Sequence, residues 1–117
     1  MNILVVSERF SPEGTGGPLA TYLLLRELSK FNKYNFTVLT STRNPKKIPN
    51  VKFCISQNLI GRTKVDSYLR QLNLYLSSEI NKLIKRQDIV IIADHSYMLI
   101  PLVKFHGKKV IVHSHDY

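Results

Sequence analysis

The sequence is short of the features that settle a protein class at once. It has one cysteine, Cys54, and no tryptophan. A single thiol excludes an internal disulfide framework and a cysteine-based zinc cluster. Glycine and proline number 5 each, too few for a collagen-like or low-complexity chain. No apolar run approaches the ~20 residues of a membrane-spanning helix. At the start, Ile3-Leu4-Val5-Val6 runs straight into Ser7-Glu8-Arg9, too short a core for a secretory leader. These absences lead us to expect a cytoplasmic protein. Acidic residues are scarce too, with 8 Asp and Glu against 17 Lys and Arg.

What is present reads as one globular domain spanning 1–117. Hydrophobic residues make up 44% and charged residues 21% of the chain, an ordinary folded composition. The net charge of +9 is unevenly placed: residues 43–86 hold ten basic groups against Asp66 and Glu79. A one-sided basic surface suits an anionic lipid, a nucleic acid or an acidic partner, and a solvated lysine-rich face has the same signature.

Apolar runs and helical periodicity alternate along the chain. Ile3-Leu4-Val5-Val6 fits a strand buried on both faces. From Leu19 the spacing turns helical, with Leu19, Leu23, Leu24, Leu28 and Phe31 on one expected inward face, and Pro18 suits the first helical position. Phe36–Thr40 and Val51–Ile55 read as strands. Between them, Asn44 to Asn50, with Pro45 and Pro49, reads as a loop. Val65, Leu69, Leu72, Leu76, Ile80 and Leu83 predict one long amphipathic helix ending near Arg86. Tyr68 and Tyr75 on it read as packing residues. Asp88–Ala93 is the clearest buried strand. A short helix offset by Pro101 follows, and Val110–Val112 is a fifth strand. Such alternation predicts a layered α/β fold with a mostly parallel sheet.

In such sheets ligands bind beyond the carboxyl ends of the strands. Three polar segments fall there: Gly14-Thr15-Gly16-Gly17 within the only Gly-rich stretch, Asp94-His95-Ser96, and His113-Ser114-His115-Asp116. The glycines let backbone N–H groups approach an anion, and the following helix N-terminus favours a phosphate. The spacing matches neither the dinucleotide fingerprint nor a P-loop, and a tight turn without a ligand looks the same. The histidine–aspartate pairs suit acid–base work near neutral pH, although strand-end polar residues also cap loops. No histidine spacing matches a metal-ligand pattern, so no metal is expected. Cys54 reads as an inert core thiol.

Taken together, Ser11-Pro12-Glu13-Gly14-Thr15-Gly16-Gly17, the helix Ala20–Leu28, Phe36–Thr40, Asp88–Ile92 and Lys109–Asp116 resemble the first domain of a glycosyltransferase family. This is the retaining, nucleotide-sugar-dependent family 4 type, with two facing Rossmann-like domains (the GT-B architecture). The resemblance implies a Rossmann-like three-layer α/β sandwich with about five strands. It implies that Gly16 and Gly17 approach the donor diphosphate and acceptor, and that His115, with His113 as the other candidate, lies near the transferred sugar. Asp116 falls beside it as the second half of the catalytic pair, and Asp94 and His95 join Gly14 and Thr15 as binding residues. The family's His-x-His after its fourth strand is replaced here by Ile91 and Ala93. The donor is a nucleotide-sugar substrate, and no cofactor is implied.

The donor-binding domain of that family has no counterpart in these residues. The resemblance therefore implies a fragment or half-enzyme, inactive until a donor-binding domain or partner chain completes it. It also gives residues 43–86 a meaning, as a basic surface docking peripherally on the inner face of an anionic membrane. Self-association through an uncovered sheet edge is a further expectation. Two other readings stay open: a non-catalytic binding or assembly module of this fold, and a basic protein that binds nucleic acid.

Overall fold

The computed structural model describes residues 1–8, 10, 17–31, 33–59, 63–93 and 97–113. Strands β1 (Asn2–Val6), β2 (Asn35–Thr40), β3 (Val51–Ile55), β4 (Ile89–Ala93) and β5 (Lys109–His113) form one sheet in the order β3-β2-β1-β4-β5. All four pairings are parallel, with Ile3 opposite Phe36 and Ile89, Val38 opposite Phe53, and Val90 opposite Val110. Helix α1 (Gly17–Leu28) lies on one face. Helices α2 (Lys64–Leu76), α3 (Ser78–Lys85) and α4 (Ile100–Phe105), the last preceded by a 3₁₀ turn at Tyr97–Leu99, lie on the other. This is the three-layer, Rossmann-like α/β sandwich expected.

Strand side chains alternate between faces, so each central strand feeds both cores. Ile3, Val5, Phe36 and Val38 pack with Phe10, Tyr22, Leu25 and Ile48 on the α1 side. Leu4, Val6, Leu39, Val90 and Ile92 pack with Leu74, Ile80, Ile84, Leu102 and Val103 on the other. Burial on both faces is why β1 and β4 read as unbroken apolar runs. Each such side chain contributes roughly 1.5–3 kcal/mol of transfer free energy. At the edge, β5 leaves Ile111 and Val112 exposed. Among the described residues no helix is long and apolar enough to cross a membrane.

The helices depart from the expected faces. In α1 the buried residues are Thr21, Tyr22 and Leu25, while Leu23 and Leu24 are exposed. Leu23-Leu24-Leu25 spans three directions around a helix, so periodicity alone cannot choose among them. The choice falls to Tyr22, whose ring meets buried Phe10 at 5.5 Å, because aromatic burial covers the most area. The helix also ends before Phe31. The Ser29 hydroxyl donates to the Arg26 carbonyl, and Phe31 stands exposed in the turn beyond.

The long helix expected from Val65 to Arg86 is two helices. Thr63 caps α2 by accepting from the Asp66 N–H. Ser77 then leaves the helical conformation at φ −75°, ψ 119° and caps α3 by accepting from the Ile80 N–H, as serine does at helix starts. Asn81 Nδ2 donates to the Tyr75 carbonyl at 3.0 Å and to the Ser77 carbonyl at 2.8 Å, bridging the break. The break separates the stripe into two directions. Ile80 and Ile84 turn inward, whereas Val65, Leu69, Leu72 and Leu76 face out, from 47% exposed for Leu72 to 86% for Leu76. Tyr68 is exposed as well, contrary to its expected packing role. Tyr75 does pack, and its hydroxyl donates to the Met98 carbonyl. Inward on α2 stand Leu74 and Gln71, and Gln71 Nε2 donates to the Leu59 carbonyl at 2.8 Å.

Candidate functional site

The chain builds β1, β2 and β3 outward in one direction, then returns to place β4 and β5 on the other side of β1. Strand order therefore reverses between β1 and β4, where open α/β sheets hold their ligands. Register fixes the level of the strand ends. Val6 lies opposite Ile92, and Ala93 opposite His113. The carboxyl ends of β1, β4 and β5 thus stand side by side, and each leads into one of the three polar segments.

The segment leaving β1 is anchored before it becomes glycine-rich. The N–H of buried Ser7 donates to the Leu39 carbonyl at 3.0 Å. The Glu8 carbonyl accepts from the Ser41 N–H at 3.1 Å and from the Thr40 hydroxyl at 3.4 Å. The Phe10 N–H donates to Thr42 Oγ1 at 3.0 Å. The fully buried Phe10 ring meets the rings of Tyr22 and Phe53 at 5.5 and 5.6 Å. Phe10 and α1 are the two fixed ends of the Gly-rich segment. No acidic side chain occupies the first turn of α1, so that turn itself carries no carboxylate to offset the attraction of its N-terminus for an anion.

Of the site residues expected from the sequence, Gly17 is the first residue of α1 and His113 the last of β5. Gly14, Thr15, Gly16, Asp94, His95, His115 and Asp116 lie outside the described residues. His113 lines a slot of about 20 Å³ with Val5, Thr21, Leu25 and Ile91, room for about one water molecule. Thr21 Oγ1 is buried in the same wall, with no hydrogen-bond partner among the described residues. Among the described residues, two groups elsewhere have shifted titration. Burial, with a smaller push from Glu79, raises the pKa of the Cys54 thiol on β3, in keeping with an inert thiol. Burial raises that of Tyr75, against a backbone hydrogen bond at Leu102.

The Phe10 anchor escaped the sequence reading. Its signal was a lone aromatic between Arg9 and Ser11, beside the glycines. The buried amides Gln71 and Gln87 were also missed, because a glutamine on a helix face reads as solvated. No family model matches the chain, and neither the curated proteins nor the solved structures contain a significant match.

Proposed function

We propose that this chain is the acceptor-side domain of a retaining glycosyltransferase that draws sugar from a nucleotide-sugar donor. One observation carries the reading. The Gly-rich segment departs from β1 at the point where strand order reverses, and it leads into the N-terminus of α1. A helix start behind a glycine loop suits phosphate oxygens. In this mechanism the N–H groups from Gly14 to Gly17 steady diphosphate charge. His115, with Asp116 beside it, contacts the transferred sugar or the leaving group. Asp94, His95 and His113 border the acceptor. No protein nucleophile is assigned. Turnover requires a donor-binding domain, in the same polypeptide or in a partner chain, because both reactants must be held in one geometry.

The test is a ¹⁵N NMR titration of the chain with pyrophosphate and with UDP-, GDP- and ADP-sugars. The reading expects the Gly14, Gly16 and Gly17 amides to move first. Shifts that avoid these glycines would sink it.

A docking role is favoured by a separate observation, the outward apolar stripe of α2. It belongs to a segment, 43–86, with a net charge of +8, and Lys64, Lys82, Lys85 and Arg86 are all exposed. Apolar and basic surface together suit an anionic bilayer. Co-sedimentation with phosphatidylglycerol vesicles, lost at high salt and in Leu69→Gln/Leu72→Gln, is the expected result. Binding indifferent to salt and lipid charge, or a stripe buried in a dimer, would overturn it.

A further inference from the structure

The amino edge of the sheet gathers cations from parts of the chain that are far apart in sequence. Lys109 is in register with Ile89, Ile3, Phe36 and Val51, so the five strands begin at one level. Lys33 precedes β2, Lys52 lies in β3, Lys85 and Arg86 close α3, and Lys108 and Lys109 enter β5. All are exposed except Lys108, which is half-buried. From β3 to β5 the edge is four strand spacings wide, about 19 Å. None of these cations forms an ion pair among the described residues. Two neighbouring carboxylates are already engaged. Glu27 pairs with Lys30 at 3.1 Å, and Asp88 Oδ2 accepts from the Asn2 N–H at 2.7 Å.

Cations alone mark a solvated face as readily as a binding one. The same edge also carries two phenyl rings that face solvent, Phe31 at 57% and Phe105 at 83% exposed. Neither ring belongs to a core cluster, yet both are held in place. Phe31 stands in the turn after α1, where its N–H donates to the Leu28 carbonyl at 3.1 Å and its carbonyl accepts from the Tyr34 N–H at 3.5 Å. Phe105 ends α4. Its ring meets that of His106 edge-on at 5.4 Å, and His106 Nε2 donates to Asn81 Oδ1 at 2.6 Å.

We propose that the amino edge binds single-stranded nucleic acid. The phosphates follow the row of cations, and unpaired bases stack on Phe31 and Phe105. Stacking is tolerant of sequence, because every base has a π-face. A duplex keeps its bases stacked on one another and offers the rings nothing. An anionic bilayer takes apolar side chains gathered on one face, as they are on α2. Here each ring stands singly among cations, one after α1 and one on α4, helices on opposite faces of the sheet. The proposal does not rest on the transferase reading, whose segments leave the carboxyl ends of the strands.

The experiment measures fluorescence anisotropy of a labelled oligo(dT) of about 20 nucleotides and of a duplex of the same length, with phosphatidylglycerol vesicles in a parallel arm. The single strand is expected to bind about fivefold or more tightly than the duplex, the worth of one stacked base. Lys109→Ala should weaken it and lower the slope of log affinity against log salt by about 0.7. Phe31→Leu and Phe105→Leu keep the apolar area and lose the π-face. Each should weaken oligo(dT) binding about fivefold or more with the salt slope unchanged, and Phe31→Tyr and Phe105→Tyr should retain it. Equal affinity for duplex and single strand, with no effect of the leucine variants, is plain charge attraction and would overturn the proposal. So would vesicle binding without oligo(dT) binding, which would make this edge a membrane surface.

Discussion

The two ends of the strands use their polar groups differently. At the amino edge side chains tie β1 to β2 and to the connection between α3 and β4. The Asn2 N–H donates to Asp88 Oδ2 at 2.7 Å, Asn2 Nδ2 to the Arg86 carbonyl, and Asn35 Nδ2 to Asn2 Oδ1 at 3.2 Å. At the carboxyl edge of β2 and β3, hydroxyls bind loops instead. Ser41 Oγ donates to the Ser56 carbonyl at 2.9 Å, and Thr42 Oγ1 holds Phe10. Beside them, β1, β4 and β5 give way to segments rich in glycine, histidine and aspartate. One end ties the strands together, and the other is where the proposed reading places the ligand. In open α/β sheets ligands bind beyond the carboxyl ends of the strands, which leaves the amino ends free for such ties.

That division can be broken by mutation. The largest expected effect lies at the carboxyl edge. On the proposed transferase reading, His115→Ala should lower turnover of the chain joined to its donor-binding domain about 100-fold or more, the typical cost of removing a group that stabilises developing charge, with no change in urea midpoint. Unchanged turnover would remove that role. At the amino edge the signs reverse. Asp88→Ala should lower stability by about 1–2 kcal/mol through loss of a charged acceptor, and Asn2→Ala by about 1 kcal/mol, with ligand shifts at Gly14 to Gly17 intact. Urea unfolding with paired NMR titrations checks both. On the outward face of α2, Leu72→Gln should change stability by less than about 0.5 kcal/mol. A loss of several kcal/mol there would mean that the stripe is buried in a self-associated form.

The smallest effect concerns pH. Cys54 and Tyr75 both have folded-state pKa values above their ordinary ones. The folded chain therefore holds these protons more tightly than the unfolded chain does. The stability they give is present below the ordinary pKa values and is lost as pH rises through the folded-state values. Urea midpoints should fall on the alkaline side, and Cys54→Ser with Tyr75→Phe should flatten that fall.

The sheet was legible because its signals are local. Ile3–Val6 and Asp88–Ala93 are apolar runs with no competing reading, and all five strands fall where those runs predict. The helix faces were not legible. Val65, Leu69, Leu72 and Leu76 have perfect helical spacing, yet periodicity says only that a stripe exists, not whether the core or solvent faces it. The break at Ser77 decides that, and the serine competes with a period that runs past it. Phe10, buried from a polar loop, and Gln71, buried in place of a leucine, are settled by tertiary partners alone. At the candidate site the sequence supplied residue types and strand ends, and the fold supplied what the sequence lacked, the reversal of strand order between β1 and β4.

The most direct test of the central claim is the pyrophosphate titration of the ¹⁵N-labelled chain. The account predicts saturable shifts at Gly14, Gly16 and Gly17, with His113 and His115 moving alongside. Saturable shifts elsewhere on the chain, with these residues still, would contradict it.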